Sequence, residues 1–123
     1  MRPLNTSDEA NVSDLAARQL AAYNDADLDA FCACYHDEVK VLDADGQITA
    51  EGIDAFRSRY APMFARGGFG ASVPQRVSVG DHCVDVEDYW RTDPETGART
   101  EGRVMVRYSL RGDRIGVVQF FRG

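Results

Sequence analysis

Apolar side chains recur along the start of the chain at the spacing of a helix buried on one face. Val12, Ala16, Leu20 and Tyr23 fall three or four residues apart, with Leu15 and Gln19 beside them. Thr6-Ser7-Asp8-Glu9 reads as a capping box ahead of that helix, its acids suited to the positive end of the helix dipole. Asn24-Asp25 ends the helix, and Asp25 is expected to cap a short second one whose stripe is Leu28, Phe31, Cys32 and Tyr35. The period then changes to two. Val39, Val41 and Asp43 alternate with Lys40 and Leu42, as in a half-buried strand. Asp45-Gly46 turns the chain into a brief return strand at Gln47-Ile48-Thr49. Helical spacing resumes from Gly52, with Ile53, Phe56, Tyr60, Met63 and Phe64 on one face. Pro62 is expected to kink its last turn, and Arg66-Gly67-Gly68 stops it.

Everything after Gly70 reads as antiparallel sheet: Val73 to Val79, His82 to Thr92, Arg99 to Leu110, and Ile115 to Phe121. Gly80-Asp81, Asp93-Pro94-Glu95-Thr96-Gly97 and Arg111-Gly112-Asp113 supply the turns. In the long second strand Val84, Val86, Asp88 and Trp90 alternate, so that face is expected to point inward. Leu42, Cys83 and Tyr89 then fall on the outer face of the sheet. Helices first and a meander afterwards mean an α+β fold, with helices packed on one face of a curved sheet. The 123 residues fit a single domain, 1–123.

Composition narrows the partners. A formal net charge of −6 with interspersed signs leaves no basic stripe for nucleic acid or an anionic membrane. No apolar run is long enough to span a bilayer. The start of the chain lacks the apolar centre of a secretion signal, so a cytoplasmic location is expected. The three cysteines fit neither a disulfide framework nor a zinc site and read as buried thiols. Neither histidine has a second ligand at metal spacing, and no phosphate loop or nucleotide fingerprint occurs, so no metal or cofactor is expected.

Three stretches carry a family resemblance. They are Ala21-Ala22-Tyr23-Asn24-Asp25-Ala26-Asp27-Leu28-Asp29-Ala30-Phe31, then Tyr35-His36-Asp37-Glu38-Val39, and Glu51-Gly52-Ile53-Asp54-Ala55-Phe56. Together they resemble the nuclear transport factor 2-like superfamily, in its SnoaL-like and ketosteroid isomerase-like branch. The resemblance implies a cone: three N-terminal helices on the concave face of a strongly curved, mixed but mostly antiparallel sheet, enclosing an apolar pocket. It also implies a homodimer through the outer sheet face. Ketosteroid isomerase pairs an aspartate base with an oxyanion hole of tyrosine and protonated aspartic acid. Carried onto this chain, the base falls on Asp43, the oxyanion tyrosine on Gln19, and the second acid on Val104 or Met105. A pocket tyrosine falls on Tyr60.

The candidate chemistry follows. Asp43 shares parity with Val39 and Val41. Turned inward, it would be desolvated and usable as a proton acceptor; turned outward, it would close the Asp45-Gly46 turn. Asp88 would add a second inward carboxylate unless strand twist or a bulge turns it to water. With Tyr60 they form the candidate catalytic set. Gln19 and Tyr23, four apart, could donate to a developing oxyanion, although Tyr23 also suits a core position. Phe56, Phe64, Val86, Trp90, Tyr108 and Phe120 complete the expected pocket for a hydrophobic small molecule. Two functions fit: acid/base proton transfer next to a carbonyl, as in isomerases and cyclases, or a non-catalytic binding or dimerisation module.

Overall fold

The computed structural model describes residues 11–122. The elements are α1 (Val12–Asn24), α2 (Leu28–Cys32), β1 (Tyr35–Leu42), β2 (Ile48–Glu51), α3 (Ile53–Arg66), β3 (Phe69–Val79), β4 (His82–Thr92), β5 (Arg99–Arg111) and β6 (Arg114–Arg122). The strands form one open sheet in the order β2-β1-β6-β5-β4-β3. Only the β1–β6 pair is parallel, so the sheet is mixed and mostly antiparallel. All three helices lie on one face: α1 crosses β3 to β6, and α3 covers β1 and β2. This is the expected α+β cone.

Local chemistry explains the entry into the fold. The capping box at residues 6–9 lies outside the described residues. Within them Asn11 caps α1, its side-chain oxygen accepting from the N–H of Ser13 at 2.8 Å and of Asp14 at 3.3 Å. The corner after α1 differs from the sequence expectation. Asp25 is the C-cap of α1, Ala26 takes a φ of 54°, and Asp27 caps α2 by accepting from the Ala30 N–H at 3.1 Å. So tight a reversal needs a left-handed residue, a conformation in which alanine bears the steric cost that glycine would avoid. Asn24 then fastens the corner to the sheet edge, donating to the Ala71 carbonyl at 2.9 Å and accepting from its N–H at 2.8 Å. Tyr35 opens β1 instead of continuing α2, and its side chain stays buried. The third helix begins after Gly52, whose φ of 89° suits glycine, and runs through Pro62 to Arg66.

One face assignment is reversed. In β4 it is Cys83 and Asp85, 1% and 0% exposed, that point to the helices, and Tyr89 packs against the same core. The Val84, Val86, Asp88 and Trp90 series faces away, and Cys83 and Tyr89 are not on the outer face. Asp88 pairs in register with Arg103, which grips its carboxylate through two bonds of 2.6 and 2.9 Å. Trp90 lies under the Arg99 guanidinium at 4.6 Å and against Gly70, where a Cβ would come within 2.7 Å of the indole nitrogen. The physical reason is an ion pair. Arg76 on β3 holds Asp85 at 2.6 and 2.9 Å, so an acid can occupy the core face.

Candidate active site

A cavity of about 220 Å³ lies between α1, α3 and the inner face of the sheet. Its deepest part is polar. Gln19, 4% exposed, comes from the buried face of α1, and Tyr35 and Tyr108 enter from β1 and β5. Tyr35 donates its hydroxyl to Gln19 Oε1 at 2.9 Å. Gln19 Nε2 donates to the Ala16 carbonyl at 3.0 Å and to the Tyr108 hydroxyl oxygen at 3.1 Å. Both amide hydrogens are thereby used, and the amide orientation is fixed. Tyr108 must accept from Gln19, which leaves its own hydroxyl hydrogen to point elsewhere. Burial pushes both tyrosines well above the ordinary phenol value, so each remains a hydrogen-bond donor at neutral pH.

The walls are aromatic. Phe31, Tyr60 and Phe120 line the cavity with Tyr23, Met63 and Val118. Phe56 and Phe64 stand behind them: Phe56 stacks on Phe31 at 5.6 Å between ring centroids, and Phe64 meets Tyr23 edge-on at 5.7 Å. These contacts come from the one apolar face of α3 closing on α2 and on the end of α1. Burial raises Tyr60 to about 12.

One acid lines the cavity among the described residues, Glu87 of β4. Burial raises its carboxyl from an ordinary 4.5 to about 7, and the negative charge of Asp85, two residues earlier on the same face, adds to the rise. Arg91 and Arg122 pull the other way. Such a carboxyl is half ionised near neutrality, the condition for a general acid/base. Arg59, Arg91 and Arg122 form the exposed rim. Among the described residues, none of them has a carboxylate within ion-pair distance, while Arg57, Arg76, Arg99, Arg103, Arg111 and Arg114 do.

Of the residues singled out by sequence, Gln19, Tyr23, Tyr60, Tyr108 and Phe120 line this cavity. Phe56 and Phe64 are buried supports. Val86, Asp88 and Trp90 are on the opposite face of the sheet. Asp43 lies just past the end of β1, where the strand no longer sets the direction of its side chain. Its Oδ1 accepts from the N–H groups of Asp45 at 3.0 Å and Gln47 at 2.9 Å, closing the turn. It lines a separate, more open hollow of about 280 Å³ that shares Arg59, Phe120 and Arg122 with the cavity. Sequence reasoning missed Glu87 and Arg91, and also Tyr35, Arg59 and Arg122. A signal for the first two existed: Asp85, Glu87, Tyr89 and Arg91 share one strand parity. Among the described residues no cluster of side chains suits a metal ion, and no helix is long and apolar enough to cross a membrane.

Helices on the concave side of a bent sheet, closing over a pocket with a polar base, define a nuclear transport factor 2-like protein. A family model described as a SnoaL-like domain matches residues 16–117, and the chain belongs to that family. Similar solved structures include an uncharacterised protein from Novosphingobium aromaticivorans, 28% identical with a TM-score of 0.78 over 89% of this chain and 96% of that one. A protein with a ketosteroid isomerase-like fold from Catenulispora acidiphila, solved with trimethylamine, has 15% identity and a TM-score of 0.75 over 89% and 85%. A Mycobacterium tuberculosis protein in complex with estradiol-17beta-hemisuccinate has 13% identity and a TM-score of 0.78 over 90% and 92%. No curated protein matches the chain in sequence.

Proposed function

We propose that this cavity binds a small hydrophobic molecule and moves a proton next to its carbonyl, with Glu87 as acid/base. The carrying observation is the pairing of one carboxyl raised to about 7 with a phenol held in place by Gln19 in the same cavity. Tyr108, held by Gln19, donates to the carbonyl oxygen as negative charge develops there. Glu87 takes the proton from the adjacent carbon and can return it to a different position. Tyr60 supports the ring of the ligand from α3. We assign the base to Glu87 in preference to Asp43, whose carboxylate already serves the turn. The bound neighbours support a pocket that takes small molecules.

The same reading includes a homodimer. Val77, Val79 and Met105 on the outer face are 66%, 75% and 44% exposed, and the Val84, Val86 and Trp90 row runs beside them. A second copy would cover that apolar surface. Three buried free thiols accord with a reducing, cytoplasmic setting.

Hydrogen–deuterium exchange tests the chemistry. In D2O, a panel of small cyclic ketones and enones should exchange the hydrogen beside the carbonyl faster with the protein than without it. Glu87→Gln should abolish the acceleration, a loss of about 10²-fold or more. Saturable binding with no exchange would instead make this a binding module. Exchange undiminished in Glu87→Gln would remove Glu87 from the chemistry.

A further inference from the structure

We infer that the cavity selects a carboxylate carried on a single ring, with the ring against Phe31, Tyr60 and Phe120 and the anion at the arginine rim. The inference rests on reading the cavity as a ligand site, and it specifies the class of ligand. Charge is the first observation. The chain is acidic, with a net charge of −6, yet the cavity is lined by three arginines and one acid. Among the described residues six arginines are matched to carboxylates and six are not; Arg18, Arg66 and Arg107 lie elsewhere, and what sets Arg59, Arg91 and Arg122 apart is that they converge on one cavity. A guanidinium fork is complementary to a carboxylate in both charge and geometry.

Register places the charges relative to the acid. Glu87 pairs with Val104, and Val104 with Arg122, so Glu87 and Arg122 occupy one row of the sheet with Val104 between them. Their backbones are therefore roughly 10 Å apart. Arg91 lies four residues along the same strand face as Glu87, and Arg59 joins the lining from α3, where it also donates to the Thr49 hydroxyl at 2.9 Å. A ligand whose anion sits at Arg91 and Arg122 keeps its ring between the rim and the Tyr108 hydroxyl, within reach of Glu87.

Size is the second observation. An enclosed apolar cavity of roughly 150 Å³ takes one benzene ring. The space here, about 220 Å³, suits one ring with its substituents. Drug-sized sites begin at roughly 300 Å³.

The test is calorimetric titration of the full chain at pH 6.5 with benzoate and with benzamide, which differ in charge and little in shape. Benzoate should bind more tightly than benzamide, and Arg122→Gln and Arg91→Gln should each weaken benzoate by on the order of tenfold or more. Benzamide binding should be unchanged in both. Glu87→Gln should bind benzoate at least as tightly, because it removes the one negative charge in the cavity. That variant separates the two ideas: charge-selective binding that survives in a chain with no exchange activity supports the ligand class whatever becomes of the chemistry. Equal affinity for the two probes, failure of both to bind, or benzoate binding indifferent to both arginine substitutions overturns the assignment.

Discussion

Glu87→Gln converts the buried acid into a test of stability against pH. A carboxyl near 4.5 in the unfolded chain and about 7 in the folded one binds its proton more tightly when folded. Its contribution is fully present below the unfolded value and is lost as pH rises through the folded one. Above pH 7 the folded protein must hold an ionised, poorly hydrated carboxylate or pick up a proton, a penalty of about 3 kcal/mol. Glutamine keeps the shape of the protonated acid and cannot ionise. The variant should therefore gain on the wild type as pH rises, by about 2–3 kcal/mol between pH 5 and pH 8.5. For a domain of this size that is a relative change of roughly 10 °C in melting temperature. Thermal unfolding of both proteins at several pH values, at constant ionic strength, reads it directly. A difference between them that does not depend on pH would refute the reasoning, whatever its size.

Three further outcomes follow from the same contacts. Arg76→Gln should destabilise the protein by about 3 kcal/mol in urea unfolding, because it leaves Asp85 buried without its counter-charge; the double substitution Arg76→Met with Asp85→Leu should recover most of that loss. Tyr35→Phe removes the donor to Gln19 and strands a buried amide oxygen, at about 1–2 kcal/mol in the same assay. It should also release the Tyr108 hydroxyl from its fixed role and slow any exchange activity. Met105→Lys on the outer face should turn a dimer into a monomer in sedimentation velocity, with the helix signal unchanged; a wild type already monomeric at micromolar concentration would count against the dimer.

The order of elements was legible because each period spans a whole element. The stripe from Val12 to Tyr23 and the face from Ile53 to Phe64 are helical over several turns, and the β4 boundaries are those expected. The site was only half legible. Gln19, Tyr60 and Tyr108 lie on faces set by strong apolar neighbours, so their direction could be read. In β4 both faces carry bulky side chains, and polarity alone favoured Val84, Val86 and Trp90 as the buried row. What reverses that choice is long-range: Arg76, nine residues earlier, neutralises Asp85 across a strand pair, and the apolar row is left on the outer face. Asp43 failed for a local reason. β1 ends at Leu42, and the Asp43 carboxylate closes the following turn by accepting from the N–H groups of Asp45 and Gln47.

The direct measurement is the titration of the Glu87 side chain by carbon-detected NMR, assigned through Glu87→Gln. A midpoint near 7 is the expected result, since the proposed proton transfer needs a carboxyl poised between its two forms inside the cavity. A midpoint in the ordinary carboxylate range, near 4.5, would mean that water reaches Glu87 freely and that the enclosed acid/base site does not exist.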